Sequence, residues 1–346
     1  MTGRWGGCRW VVAACLLGVL LWSAAGVMLV AAARLQSPRI LLFESTRSRA
    51  FNTYLLDIDR RIISEFPGPG NCYRAVWSPE GSRIACKSNA EGSPDLYVID
   101  VFGGQIERLT ESRAAEDDFA WSPDGRQIAF VAVEGQRQDI YVVDVETRVT
   151  RQITQGLGTF NFSPAWSPDG TQIAFRASRD GRPGLLFVVR ADGGDLRVLA
   201  DGSSNVSPLL WSPDGTQILF ERAADVRFSQ NLAIVDLTTR AISPLIEGSY
   251  NARPAWSPDG TAIAFVSRRD GDYALYLMSL GDPQPRNTGV PANTYTTPRW
   301  SQDGRQIVFD SWRAGASGIY LINADGTGEQ RLTDSALDSN PAWMPQ

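Results

Sequence analysis

Trp121-Ser122-Pro123-Asp124-Gly125 decides the fold of this chain, because the same pentapeptide returns at a nearly constant interval. It recurs unchanged from Trp166, Trp211 and Trp256, and close variants begin at two further tryptophans. With one more tryptophan near the carboxyl terminus, the ladder has seven members spaced 43 to 45 residues apart: Trp77, Trp121, Trp166, Trp211, Trp256, Trp300 and Trp343. A period of about 40–45 residues is typical of the four-stranded blade of a β-propeller. The sequence therefore predicts an all-β propeller.

A single repeat shows how four strands arise from the residues. The short strand that ends at Trp166 is followed by Pro168-Asp169-Gly170, in which proline presets φ and glycine supplies the left-handed conformation of a turn. Residues 172–177 then alternate between apolar and polar, which is the period of a half-buried strand. Third and fourth strands follow at 185–190 and 196–200, so each repeat predicts four antiparallel strands.

The two ends of the repeat region predict how the ring closes. The first copy begins with a second strand at 39–43, and the last copy stops after a lone first strand at 341–343. Pairing the last strand with the first would complete one blade from both ends and leave no open sheet edge. The sequence thus predicts seven four-stranded blades with the C-terminal strand in the N-terminal blade. The alternative is six blades and a stray terminal strand.

Composition narrows the possible chemistry. The 346 residues carry a net charge of -5 and contain no histidine. The acidic balance argues against a nucleic-acid partner. Without histidine, Ser-His-Asp and Cys-His catalysis and His-ligated zinc or manganese sites are excluded. Carboxylate-pair chemistry and an oxygen-ligated calcium site stay open, but the sequence predicts no cofactor and no metal.

The amino terminus contains a membrane-spanning candidate. Residues 10–33 form a stretch of 24 residues without a charge, bracketed by arginines. A helix of that length spans roughly 36 Å, enough to cross a bilayer core of about 30 Å. We expect 1–36 to be a cytoplasmic stub and a transmembrane signal-anchor helix. Residues 37–346 would then form a propeller on the extracytoplasmic side of the cytoplasmic membrane. The alternative is a cleaved signal peptide and a secreted propeller.

The repeat resembles a known family. The Trp-Ser-Pro-Asp-Gly turn, the Ile-Ala-Phe strand and the Ile-Tyr-Val-Val-Asp strand at 140–144 are similar to the TolB-type WD40-like (PD40) β-propeller repeat, over residues 39–346. The resemblance implies a propeller that binds other proteins in the bacterial periplasm or at the cell surface. Related repeats also occur in prolyl-oligopeptidase-type peptidases and oligogalacturonate lyases. From this sequence we expect neither the α/β domain of TolB nor the hydrolase domain of the peptidases, and the metal-binding histidines of the lyases are absent from its 346 residues.

The recurring residues have structural interpretations beside functional ones. A tryptophan once per repeat favours packing between blades over sugar stacking. The aspartate of each Pro-Asp-Gly turn favours hydrogen bonds to nearby backbone N–H groups over calcium binding.

One face of the propeller is the candidate binding face. The loops ahead of the first strands and those between second and third strands lie on the same face, and they carry arginine, asparagine and aromatic residues. Arginine mixed with tyrosine and tryptophan is typical of binding hot spots, whereas a solvated rim and turn asparagines are the alternatives. The candidate residues are Arg179, Arg182, Arg268, Arg269, Arg313, Tyr250, Asn251 and Tyr295.

Two cysteines form a candidate disulfide. Cys72 and Cys86 flank the Ser78–Gly81 turn almost symmetrically, so a hairpin places them nearly opposite one another. An oxidising compartment favours the bond. The poor disulfide geometry of directly paired strand residues opposes it.

Three functions are compatible with the sequence. The leading hypothesis is a non-catalytic protein–protein interaction scaffold, a monomeric propeller tethered to the membrane with a protein partner of unknown identity. The second is a receptor that holds a glycan or small ligand in the central channel. The third is a carboxylate-dependent enzyme, for which the cluster at residues 116–118 is the only acidic group entering a channel-lining strand.

Overall fold

The computed structural model describes residues 39–48, 50–92, 94–111, 115–155, 160–179, 182–200, 209–223, 230–313, 315–334 and 337–346. Side chains are described for these residues except 115–117, 160, 179, 182–183 and 223. All the elements are strands, and no helix within these ranges has the length and apolar character needed to span a bilayer. The predicted membrane anchor lies outside the described residues.

The described residues form seven antiparallel blades. Blade 1 contains β1 (Ile40–Ser45), β2 (Asn52–Asp57) and β3 (Ile62–Glu65). Blade 2 contains β4 (Tyr73–Trp77), β5 (Arg83–Ser88), β6 (Asp95–Asp100) and β7 (Ile106–Arg108). Blade 3 contains β8 (Ala115–Trp121), β9 (Gln127–Glu134), β10 (Arg137–Asp144) and β11 (Thr150–Gln152). Blade 4 contains β12 (Phe160–Trp166), β13 (Gln172–Arg179), β14 (Arg182–Arg190) and β15 (Arg197–Ala200).

The remaining blades repeat the same order. Blade 5 contains β16 (Leu210–Trp211), β17 (Gln217–Ala223), β18 (Gln230–Asp236) and β19 (Ile242–Ile246). Blade 6 contains β20 (Asn251–Trp256), β21 (Ala262–Ser267), β22 (Ala274–Ser279) and β23 (Asp282–Pro291). Blade 7 contains β24 (Arg299–Trp300), β25 (Gln306–Arg313), β26 (Ala316–Asn323) and β27 (Gln330–Arg331), and the chain ends with β28 (Asp338–Trp343).

The last strand closes the ring, as predicted. β28 pairs antiparallel with β1, with Trp343 opposite Leu41 and Ala342 opposite Leu42. Blade 1 therefore has the strand order β28-β1-β2-β3, built from both ends of the described chain. The six-bladed alternative is wrong, because the strand that it leaves unpaired completes the seventh blade.

The apolar core lies between the blades. Leu41 and Phe43 of β1 pack against Val308 and Leu321 of blade 7, whereas Leu42 faces blade 2. Alternate residues of one strand thus contact opposite neighbours, which follows from the period of a β-strand. Each second strand is consequently buried on both sides.

The tryptophans join successive blades, so the packing interpretation is confirmed. Trp166 donates its indole N–H to the carbonyl of Ala120 in the preceding blade at 3.2 Å, and Trp211 donates to Ala165 at 3.0 Å. Six of the seven ladder residues make this bond within the described structure: Trp121, Trp166, Trp211, Trp256, Trp300 and Trp343. Trp77, next to the ring closure, is the exception: its buried Nε1 has no hydrogen-bond partner among the described residues.

The turn aspartates hold their own hairpins. Asp169 accepts a hydrogen bond from Ser167 Oγ at 2.6 Å and another from the backbone N–H of Thr171 at 3.0 Å. These bonds, led by the one from Ser167, lower the pKa of Asp169. The equivalent aspartates Asp124, Asp214, Asp259 and Asp303 make the same pair of bonds. The hydrogen-bonding interpretation of these carboxylates is therefore confirmed.

Candidate binding face

We call the face that carries the loops between second and third strands the loop face. The connections from each fourth strand to the next blade also lie there, whereas the Trp-Ser-Pro-Asp-Gly turns lie on the opposite face. First strands contact one another between blades 3 and 4, 4 and 5, 6 and 7, and 7 and 1. In a propeller the first strands surround the centre of the ring.

The predicted arginines of the loop face differ in their availability. Arg268 and Arg269 are exposed after β21, and Arg268 lies 5.7 Å from the ring centre of Tyr273. Arg313 is held within blade 7, stacked 4.1 Å from the ring centre of Tyr320 and paired with Glu329.

Arg179 and Arg182 lie at the facing ends of β13 and β14, where they pair in the strand register. Their side chains are outside the described part of the structure, so their place in the candidate face stays a prediction.

Asn251 lies beneath the loop face. It is completely buried, and its amide donates to the carbonyl of Gly248 at 2.6 Å and to that of Gln230 in blade 5 at 3.2 Å. Ser267 donates to its side-chain oxygen at 2.8 Å. Asn161 bonds blade 3 in the same way, through the carbonyl of Gln138 at 2.7 Å. These asparagines fasten one blade to the next, so Asn251 is not a surface contact.

The predicted tyrosines occupy neighbouring blades. Tyr250 is half-buried with its ring edge-on to Tyr273, at a centroid distance of 5.3 Å. Burial raises the pKa of Tyr250 to about 12, and the negative charge of Glu221 adds to the effect. Tyr295, which precedes β24, is 75% exposed and is the most accessible aromatic residue of the described chain.

Tyr295 forms one wall of a groove between blades 7 and 1. The groove has a volume of about 470 Å³, and its other large walls are Phe51, Trp312 and Leu337. Phe51 is 42% exposed and Trp312 is 52% exposed. Polar side chains complete the lining: Thr46, Asn293, Thr294, Asp310, Ser317 and Ser339. We call this the aromatic groove.

Asp310 is the one charged residue among those that line the aromatic groove. It is only 5% exposed, and its Oδ1 accepts a hydrogen bond from the backbone N–H of Thr297 at 3.1 Å. Burial raises the pKa of Asp310 to about 6, against the opposing effects of that hydrogen bond and of the positive charges on Arg299 and Arg253. The carboxyl group is therefore mostly ionised at neutral pH.

The strand position of Asp310 carries buried charges in other blades. The residue after the central aromatic or cysteine of the second strand is charged and buried in five blades: Glu44, Lys87, Arg176, Glu221 and Asp310. Burial lowers the pKa of Arg176 to about 10, although Glu221 and Asp118 act in the opposite direction. None of these five residues was among the site residues predicted from the sequence. The sequence does indicate them, because a charged residue recurs at the same position of an otherwise apolar second strand.

Two of these carboxylates accept hydrogen bonds from a backbone bulge in the first strand of the next blade. Three residues before the tryptophan, Arg74 and Arg253 take left-handed φ values of 51° and 54°. This conformation turns the backbone N–H of Arg253 to Glu221 of the preceding blade at 2.7 Å, and the backbone N–H of Arg74 donates to Glu44 in the same manner. The bulges thus bond the innermost strands to their neighbours.

The acidic cluster ahead of Trp121 is partly described. Asp118 pairs with Arg74 and accepts a hydrogen bond from Ser163 Oγ at 3.1 Å, so it links the first strands of three blades. The side chains of residues 116 and 117 lie outside the description. No group of three His, Cys, Asp or Glu side chains in the described ranges suits a metal ion.

A disulfide joins Cys72 to Cys86 across the first hairpin of blade 2, with their Cα atoms 5.7 Å apart. Cys72 lies immediately before β4 and Cys86 lies within β5, so the two cysteines face one another across the hairpin, nearly opposite as the sequence predicted. Both are completely buried in the cluster between blades 1 and 2.

Seven four-stranded blades closed by the last strand define the chain as a seven-bladed β-propeller with a groove on its loop face. The chain belongs to the TolB β-propeller family: the PD40 model, described as the TolB beta propeller domain, matches residues 39–138, 118–254 and 226–346. No curated protein matches the chain by sequence.

The solved structures that share this fold include TolB and several enzymes. TolB from Acinetobacter baumannii superposes with a TM-score of 0.58 and 22% identity, covering 95% of this chain and 89% of that one. An oligogalacturonate lyase in complex with manganese gives 0.70 and 16% identity, covering 82% and 85%. A puromycin-hydrolyzing peptidase from Mycobacterium tuberculosis gives 0.63 and 18% identity, covering 81% of this chain and 50% of that one. These similarities establish the fold.

Proposed function

We propose that this chain is a non-catalytic binding propeller whose loop face holds an extended segment of a protein partner in the aromatic groove. One observation carries the proposal. Ten large hydrophobic side chains are exposed in the described structure, and the three aromatic ones among them, Phe51, Tyr295 and Trp312, all line this groove.

The composition of the groove fits protein recognition. Tryptophan and tyrosine are enriched in the small set of residues that carry most of the binding free energy of interfaces. Exposed apolar patches on soluble domains commonly mark interaction sites. Arg268 and Arg269 lie exposed in the neighbouring blade and would contribute a polar rim. The TolB family relationship supports the same class of function.

We further propose that an N-terminal helix anchors the propeller outside the cytoplasmic membrane. The uncharged stretch at 10–33 supports the anchor, and the disulfide suits an oxidising compartment. Protease added to spheroplasts of a bacterial host expressing the full chain is expected to digest the propeller and spare cytoplasmic proteins. Protection of the propeller in intact spheroplasts would contradict this location.

The binding function is tested with a random peptide library displayed on phage and selected on the full chain in lipid nanodiscs. Enriched peptides are expected to lose at least about tenfold in affinity, or about 1.4 kcal/mol, for Trp312→Ala and for Tyr295→Ala. Val149→Ala is the matched control, because Val149 is a 67% exposed apolar residue in the turn between β10 and β11.

The outcome separates the proposal from its alternative. Absence of enriched peptides, or binding that both groove variants leave unchanged, would refute peptide capture at this site. A rise in melting temperature with oligosaccharides that Trp312→Ala abolishes would instead support the glycan receptor.

A further inference from the structure

We propose that the aromatic groove selects a cationic side chain, arginine or lysine, of the bound segment. This inference rests on the proposed peptide-binding function and adds the chemistry of the residue that is recognised. The aromatic walls and the carboxyl group at the base would act on the same cation.

The walls of the groove attract positive charge. The faces of Trp, Tyr and Phe rings carry a negative potential, which is worth about 0.5–2 kcal/mol to a cation within about 6 Å. The protein makes such contacts elsewhere on the same two blades. The guanidinium of Arg47 lies 5.1 Å from the ring centres of both Phe43 and Tyr54, and that of Arg313 lies 4.1 Å from that of Tyr320.

The base of the groove presents a carboxylate without an ion-pair partner. Asp310 is 5% exposed, and the bond from Thr297 is the one hydrogen bond that another described residue donates to it. No described arginine or lysine lies within ion-pair distance of it. A buried carboxylate left in that state is costly, and a ligand cation with its own hydrogen-bond donors would offset the cost.

The neighbouring cations are already engaged. Arg47, at the edge of the groove, contacts both carboxylate oxygens of Asp338 at 2.9 and 3.0 Å. Arg313, on the other edge, is paired with Glu329. A cationic ligand would therefore meet two neutralised pairs at the rim and one available negative charge at the base.

Two arginines of first strands also act on Asp310. The positive charges of Arg299 in β24 and Arg253 in β20 favour its ionised form. Their guanidinium groups donate to backbone carbonyls, Arg299 to that of Pro298 and Arg253 to that of Thr294, each at 3.2 Å. They favour the charged carboxyl without forming an ion pair with it. They also moderate the selectivity, so we expect a preference for cations of about tenfold, equivalent to about 1.4 kcal/mol.

The test uses oriented libraries of acetylated, amidated hexapeptides, in which one central position is fixed and the others are random. The fixed residue is Arg, Lys, citrulline, Leu or Glu, and each pool is titrated against the full chain in nanodiscs. Citrulline matches arginine in shape but has no charge. We expect the Arg and Lys pools to bind about tenfold more tightly than the citrulline and Leu pools, and the Glu pool to bind most weakly.

Two variants assign the preference to Asp310. Asp310→Asn keeps an acceptor for Thr297 and should abolish the advantage of arginine over citrulline while leaving the Leu pool unchanged. Asp282→Asn is the matched control, because it removes the same charge at an exposed position of β23 and should keep the advantage. Melting curves verify that both variants are folded.

The results also distinguish the two levels of the proposal. Equal binding of the arginine and citrulline pools, with Trp312→Ala weakening both, would overturn cation selection and leave peptide capture intact. A preference for arginine that survives Asp310→Asn would also overturn the role of Asp310. Pools that bind with no dependence on Trp312 would refute the peptide-binding function itself.

Discussion

At the scale of single residues, Asp310 shows the conflict between stability and a binding role. Its pKa is raised to about 6, from an ordinary value of 3.8, because the carboxyl is buried. The folded protein therefore keeps this proton over a pH range in which the unfolded chain has lost it. By linkage, the contribution of Asp310 to the free energy of unfolding falls as the pH rises from about 4 to about 6. Retaining such a residue is understandable if a ligand uses its charge.

The first prediction concerns this cost. Asp310→Asn should raise the free energy of unfolding at pH 8 by up to about 3 kcal/mol, since each pKa unit corresponds to 1.36 kcal/mol. At pH 4, where the native carboxyl is protonated, wild type and variant should be nearly equal. Urea unfolding at the two pH values measures the difference. A variant that changes stability equally at pH 4 and pH 8 would contradict the ionised, buried carboxylate.

A second residue-scale prediction uses the one tryptophan of the ladder that lacks the inter-blade hydrogen bond. Trp166→Phe loses the bond to Ala120 and leaves that carbonyl without its indole donor. Trp77→Phe removes an Nε1 that has no partner in the described structure. Both residues are at most 9% exposed, so the loss of apolar surface is comparable. We expect Trp166→Phe to cost about 1 kcal/mol more than Trp77→Phe in urea unfolding. Equal costs would show that the indole bond contributes nothing net.

At the scale of the strand and hairpin, local chemistry made most of the fold predictable. Trp-Ser-Pro-Asp-Gly specifies a hairpin through bonds within seven residues, such as Asp169 to Thr171 and Ser167 to Gln172. The apolar period of each second strand then places it in the core. The proximity of Cys72 and Cys86 also followed from counting outward from the turn, because both lie at the ends of the same hairpin, with Cα atoms 5.7 Å apart.

The disulfide of this hairpin gives the third prediction. It closes a segment of 14 residues in sequence separation, for which the chain-entropy model gives about 3 kcal/mol. The double substitution Cys72→Ala and Cys86→Ala should therefore lower the melting temperature of the non-reduced protein. Reductant added to the unfolded wild type should bring it close to the variant on refolding. Thiol titration of the denatured, unreduced protein supplies the control, and reactive thiols at both positions would contradict the bond.

At the scale of the whole molecule, the candidate site was less predictable than the fold. The aromatic groove joins Phe51, Trp312 and Leu337, which meet only because β28 brings the end of the chain beside β1. The sequence predicted that closure, and it placed Tyr295 on the loop face. It did not indicate which loops would converge, because loop conformations follow no repeat. Asp310 was not among the predicted site residues, because it lies within an apolar strand whose pattern predicts a core position.

The pairing of β28 with β1 leads to the fourth prediction, which concerns the integrity of the whole ring. Removing residues 338–346 deletes β28, exposes the hydrogen-bonding edge of β1 and removes the indole bond from Trp343 to Arg299 at 3.1 Å. An open β-strand edge with apolar faces is a template for pairing with another chain. The truncated protein should therefore self-associate in size-exclusion chromatography and lose Trp312-dependent peptide binding, because one wall of the groove is supplied by Leu337 and the strand after it.

Removing only residues 345–346 is the matched control, since it keeps β28 and the bond from Met344 to Ile40. That shorter truncation should stay monomeric and bind peptide normally. A monomeric, peptide-binding protein without β28 would mean that six blades and three strands hold the groove together, and that the terminal strand is not what closes the ring.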